Sequence, residues 1–278
     1  MNKKIQNSSV NTIRFLKKFK AHKDQRYLNM LTCYDYQTAQ LLNDSEVDMI
    51  LVGDSLGNVI LGYDHTVSVS LEEMIIFGKA VRKGAPDKFV ILDMPFGTYS
   101  TFNSAIKNSI KAFQSTGVNA LKMEGSFESL NLVIQRLAEI GIPVMGHIGL
   151  TPQSVHHQGG YYTHGKMNEE KIILKDQSVK LIKSGIFSLV LECIEENLAQ
   201  EITRQSSVPT IGIGSGPSVD GQVLVINDLF HLGPNTPPKF CEPILNIHQM
   251  KKEGLKNYFN VLQNKHKQHF SSKRGVKK

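Results

Sequence analysis

The strongest constraint on this chain is an alternation, repeated eight times, of a short apolar run and a polar or helical stretch. The runs cover 28–34, 49–52, 88–92, 120–123, 143–146, 187–191, 209–213 and 223–226. Several of them, MILV, KFVIL, FSLVL and VLVI, are apolar at consecutive positions instead of alternate ones. Strands of that kind are buried on both faces, as in a parallel sheet covered by helices. Helical patterns fall between the runs at 36–43, after Ser70, at 101–116, 127–140, 168–184 and 195–206, with a last one at 243–263. Ser70 and Glu73 have capping-box spacing, and Gly117, Gly141 and Gly185 stand where helices stop. A Rossmann or flavodoxin-like sheet would leave two strands without a place. Eight strands predict an α/β chain folded as a (β/α)8 TIM barrel, for which ~250 residues is the usual size.

A single catalytic domain over 1–264 is expected, followed by a basic, disordered tail over 265–278. Ile13, Phe15, Leu16 and Phe19 recur at helical spacing, so a short N-terminal helix should pack on the body. The formal charge of +7 is concentrated at the ends: 1–23 carry seven Lys/Arg and 265–278 carry six, with no acid in either. The middle, with 19 basic and 25 acidic residues, lacks the basic stripe of a nucleic-acid protein. No apolar run approaches the ~18 residues of a membrane span. MNKKIQNSSV lacks a signal-peptide core, and Cys33, Cys193 and Cys241 are too few for a disulfide framework. A cytoplasmic protein that binds neither membrane nor nucleic acid is expected.

In such a barrel the chemistry lies just past the C-terminal end of each strand. The residues there are Tyr34 and Asp35, Asp54 and Ser55, Asp93, Lys122 and Glu124, His147, Glu192, Gly212 to Gly216, and Asp228. A single acid at a strand end usually caps a helix. Four of them, Asp54, Asp93, Glu124 and Glu192, would converge on one rim and repel one another unless a cation or raised pKa values intervened. Carboxylate oxygens without a His/Cys cluster suit Mg²⁺ better than zinc. Lys122 shares a strand face with Glu124. Acid neighbours favour an anion-holding lysine over a Schiff-base nucleophile, which needs a depressed pKa. GIGSG at Gly212 to Gly216 does not complete a dinucleotide motif and reads as a tight turn, or as a backbone nest for an anion. His156, His157 and His164 lie in the long loop 149–167 and read as loop polarity more than as a metal cluster.

Six segments carry a more specific signal: VGDSLGNVILGYDHT, ILDMPFGTYS, LKMEGS, GHIGLTPQSV, LVLECI and IGIGSGPSVDGQVLV. In order and spacing they resemble the ketopantoate (3-methyl-2-oxobutanoate) hydroxymethyltransferase family. The resemblance implies transfer of a hydroxymethyl group from 5,10-methylenetetrahydrofolate to 3-methyl-2-oxobutanoate. The product would be 2-dehydropantoate, in the first step of pantothenate and coenzyme A synthesis. It also implies a TIM barrel, a magnesium-stabilised enolate and a homodecamer of two pentameric rings. Carried over by motif, the metal acids are Asp54, Asp93 and Glu124. The substrate contacts are Asp54, Ser55, Asp93 and Lys122, and the proton acceptor is Glu192. The chain departs from the family pattern at Gly97-Thr98, Ser126, Ser215 and Asn227. Two rival readings are a phosphoenolpyruvate mutase-like lyase and a catalytically dead barrel. The first would call for a loop cysteine in the base role, and the intact acids argue against the second.

Overall fold

A computed structural model describes residues 12–21, 26–154, 160 and 162–274, with side chains through 269. It divides into two compact units, Met1–Val225 and Ile226–Lys278.

The first unit is a closed parallel barrel: β1 (Leu28–Thr32), β2 (Met49–Val52), β3 (Phe89–Asp93), β4 (Ala120–Glu124), β5 (Val144–Gly149), β6 (Ser188–Glu192), β7 (Thr210–Ile213) and β8 (Gly221–Leu224). The expected TIM barrel is therefore present. The strands β3, β4 and β6 end on Asp93, Glu124 and Glu192 themselves, so these acids are held in the ladder and not in loops. The eighth strand begins two residues before the expected run. Gly221, which precedes that run, pairs with Leu28 to close the barrel. A Cβ there would sit 2.4 Å from the Leu28 carbonyl oxygen, so the close approach needs glycine.

The covering helices are α2 (Tyr36–Asn43), α3 (Leu71–Gly84), α4 (Phe102–Thr116), α5 (Glu128–Glu139), α6 (Asn168–Lys183) and α7 (Glu196–Gln205). The capping box forms: Ser70 Oγ accepts from the Glu73 N–H, and Glu73 accepts from the Ser70 N–H. The N-terminal helix, α1 (Ile13–Lys18), is also where it was expected. Leu16 and Phe19 are buried with Leu28, Met49, Phe89 and Phe187, near the starts of their strands. Lys20 adds an ion pair with Asp220 at 2.6 Å. The floor of the barrel is thus sealed by apolar packing, and the rim at the other end is left for chemistry.

In the second unit, α8 (Ile226–Leu229) precedes a 28-residue helix, α9 (Ile247–Arg274). This corrects the expected tail. Helix continues through 265–274, where disorder was expected, while 275–278 lie outside the described residues. The stretch 247–269 carries five Lys and three Gln, good helix formers, and it has no proline. The expectation weighed apolar burial and gave too little weight to local propensity.

Candidate active site at the strand ends

Adjacent strands place the rim residues in one series of hydrogen bonds and ion pairs. Register sets Asp93 beside Lys122, and Glu124 beside His147. Lys122 Nζ donates to Asp93 Oδ1 at 2.6 Å and lies 3.5 Å from Glu124 Oε1. Asp93 Oδ2 accepts from the Asp54 backbone N–H at 3.1 Å. His147 stands between two acids, with Nδ1 3.3 Å from Glu124 Oε1 and Nε2 3.3 Å from Glu192 Oε2. Neither contact has hydrogen-bond geometry, so each is an ion pair of near neighbours. Ser55 Oγ is 2.7 Å from Tyr34 Oη. The structure therefore brings Asp54, Asp93, Lys122, Glu124 and Glu192 into one contact network at the rim, with Ser55 next to Asp54. Asp228 falls in the second unit.

Burial sets the electrostatics. Burial alone would lower the pKa of Lys122, but Asp93, Glu124 and Asp54 outweigh it and hold the ammonium charged. A Schiff-base role is therefore disfavoured, since that chemistry needs a neutral amine. Burial would also raise Glu124, but Lys122 and His147 draw it down to about 2. His147 is lowered by burial and by Lys122, yet Glu124 and Glu192 lift it to about 9, so it is an imidazolium at neutral pH. Asp54 is raised well above the carboxylate range by burial and by the charges of Asp93 and Glu124. One carboxyl of the crowded set thus resists ionising until positive charge arrives. Glu192 differs from the rest: its side chain is 17% exposed, whereas those of Asp93, Lys122 and Glu124 are 4–5% exposed.

The sequence reading did not single out several residues that shape this site. His147 was noted only as a strand-end residue. Gln153 and Tyr99 lie within GHIGLTPQSV and ILDMPFGTYS but were given no role, because a lone Gln or Tyr in a loop has no diagnostic spacing. Ser215, read as a departure with no assigned role, is almost fully buried beneath the Glu192 turn. Its Oγ donates to the Leu191 carbonyl at 2.8 Å and accepts from the Ile194 N–H at 2.9 Å. Between them, Cys193 adopts φ 49°, a left-handed conformation unusual for a residue with a side chain. The turn after β7 thereby braces the turn that carries Glu192. Ser215→Ala leaves the Ile194 N–H without this acceptor, and should lower unfolding free energy by about 1–3 kcal/mol in denaturant titration.

Gly149 serves a similar end. At φ 98° it lies so close to β6 that a Cβ would meet the Glu192 carbonyl oxygen at 2.2 Å. In the long loop, His164 pairs with Glu170 at 2.7 Å, so loop structure accounts for it, while His156 and His157 lie outside the described residues.

A closed parallel barrel with buried acids, a charged lysine and one more exposed carboxylate at its C-terminal rim defines an enzyme of the TIM-barrel class. The model of the ketopantoate hydroxymethyltransferase family matches residues 11–269. A Leptospira interrogans protein named 3-methyl-2-oxobutanoate hydroxymethyltransferase is 46% identical over 85% of this chain and 89% of its own. A Thermotoga maritima protein of the same name is 45% identical over 87% and 90%. The chain belongs to the ketopantoate hydroxymethyltransferase family. Among solved structures, phosphonopyruvate hydrolase in complex with oxalate and Mg²⁺ superposes with TM-score 0.60 at 8% identity, over 92% of this chain and 88% of the other. That likeness concerns the fold alone.

Proposed function

We propose that this rim transfers a hydroxymethyl group from 5,10-methylenetetrahydrofolate to 3-methyl-2-oxobutanoate, giving 2-dehydropantoate, the first step of pantothenate and coenzyme A synthesis. The observation that carries the reading is a family match across the barrel, joined to a rim whose acids, lysine and outermost carboxylate suit each role. Asp54, Asp93 and Glu124 offer only oxygen donors, which suits Mg²⁺. Among the described residues no three such groups already converge as a complete cage. Lys122 and Gln153 hold oxygens that a cation would take, and Mg²⁺ retains waters and substrate oxygens as ligands. When bound, Mg²⁺ withdraws charge from the oxo acid's oxygens.

The chain's own residues do the rest. An ammonium has three donors, and Asp93 and Glu124 account for two, so Lys122 has one for a substrate oxygen. Ser55, fixed by Tyr34, borders the same position. Glu192 removes the C3 proton of the oxo acid, and its partial exposure lets that proton leave to solvent. The resulting carbanion equivalent forms a carbon–carbon bond to the methylene carbon of the folate, whose bonds to the folate nitrogens break, and water supplies the hydroxyl as tetrahydrofolate is released.

A homodecamer is part of the same proposal. Met250, Leu255, Tyr258 and Phe259 on α9 are large and exposed, as expected of an association surface. A cytoplasmic location is proposed because Cys33, Cys193 and Cys241 are free thiols. No described helix is long and apolar enough to cross a membrane.

The test is hydrogen exchange at C3 of 3-methyl-2-oxobutanoate in D₂O, without folate. Exchange should require both enzyme and Mg²⁺ and stop with a chelator. Exchange that is absent, or indifferent to chelation, would overturn the reading.

A further inference from the structure

Gln153 lies in the 3₁₀ turn Pro152–Ser154, just past the end of β5, and is 5% exposed. Four contacts hold its side-chain amide and its backbone N–H. Its backbone N–H donates to Glu124 Oε2 at 3.2 Å. Its Nε2 donates to Asp54 Oδ2 at 2.8 Å and to the Met94 carbonyl at 3.0 Å. Its Oε1 accepts from Tyr99 Oη.

These contacts determine which way the amide points. Flipping it would set Oε1 against the Met94 carbonyl, an acceptor whatever the protonation of Asp54, with no hydrogen between them. Tyr99, itself half-buried at the rim, can then satisfy Oε1 only by donating. The short turn is tied down on its other side as well, where the Leu150 N–H donates to the Glu192 carbonyl at 2.8 Å. One turn therefore grips acids from β2 and β4 together, through a side chain and a backbone N–H of the same residue. In each case it takes one oxygen, Oδ2 of Asp54 and Oε2 of Glu124.

Resting on the magnesium reading above, we infer that Gln153 is a positioning residue for the metal. With the orientation set by Tyr99, it fixes the rotamers of Asp54 and Glu124 so that a divalent cation meets them already aimed. Partners of metal ligands that act in this way typically change metal affinity by about 10–100-fold when removed. Gln153→Met keeps the length and apolar bulk of the side chain and deletes both amide groups. Tyr99→Phe deletes only the hydroxyl that sets the amide's direction.

The experiment is Mn²⁺ titration of the full chain followed by electron paramagnetic resonance, beside thermal melts of each variant. Gln153→Met should weaken Mn²⁺ by about 10–100-fold, and Tyr99→Phe by a smaller factor in the same direction. Both should melt as folded proteins. Saturating Mn²⁺ should restore the wild-type line shape in each, because the ligands themselves are intact. Wild-type Mn²⁺ affinity in Gln153→Met would overturn the inference. So would a loss matched by an unfolded fraction in the melts and not restored at saturation, since that describes a merely structural glutamine. Asp93→Asn serves as the control that removes a proposed ligand. If the wild-type protein itself binds no Mn²⁺, the magnesium reading fails, and the inference fails with it. If wild type binds and Asp93→Asn does not, while Gln153→Met is unaffected, only the inference fails.

Discussion

Glu192→Gln should slow C3 proton exchange by at least about 10²-fold while changing binding of Mg²⁺ and oxo acid by no more than about threefold. Amide and carboxylate are nearly isosteric, so the turn braced by Ser215 should survive, and what is lost is the ability to accept a proton. The expectation of intact binding follows from the geometry. Glu192 meets the acids proposed for the metal through His147, which stands 3.3 Å from Glu192 and 3.3 Å from Glu124. Removing one of the two acids beside His147 should lower its pKa from about 9 but leave Glu124 as a partner. An exchange rate near that of wild type would take the base role away from Glu192. A collapse of metal binding would instead place it among the ligands.

The barrel was legible because its strands are buried on both faces, which writes them as uninterrupted apolar runs. Asp54, Asp93, Lys122, Glu124 and Glu192 were legible for a related reason. A single acid at the end of such a run can be a helix cap, but four on separate strands are gathered by the topology and need another reason. Gly221 fell outside the expected run, which starts at Val223, because a glycine adds nothing to an apolar pattern even where it permits a close strand approach. Gln153 and Ser215 were invisible in another way. Their importance lies in which atoms they satisfy across 99 and 24 positions of chain, from Gln153 to Asp54 and from Ser215 to Leu191. No local pattern records such contacts. The helix through 265–274 was missed because tail composition was judged by its lack of apolar burial, whereas propensity and length sustain an exposed helix.

Asp93→Asn should weaken Mg²⁺ and 3-methyl-2-oxobutanoate together, each by at least about 10²-fold, as measured by calorimetric titration. The carboxylate accepts twice: Oδ1 from Lys122 Nζ at 2.6 Å, and Oδ2 from the Asp54 N–H at 3.1 Å. An asparagine supplies one acceptor oxygen and turns its NH₂ toward the other donor. Either Lys122 or the Asp54 N–H then faces a buried hydrogen instead of a lone pair. Breaking one side of a buried ion pair typically costs about 3–5 kcal/mol, and at 1.4 kcal/mol per decade that exceeds two decades of affinity. Thermal melting would show how much of this cost falls on the fold. The diagnostic quantity is the coupling between the two ligands. If metal and oxo acid share the Asp93 site, each raises the other's affinity by the same factor in the wild-type protein. Asp93→Asn should shrink that factor toward one, which a loss of stability alone would not do. Oxo-acid affinity that is unchanged by the mutation, with or without Mg²⁺, would refute chelation at Asp93.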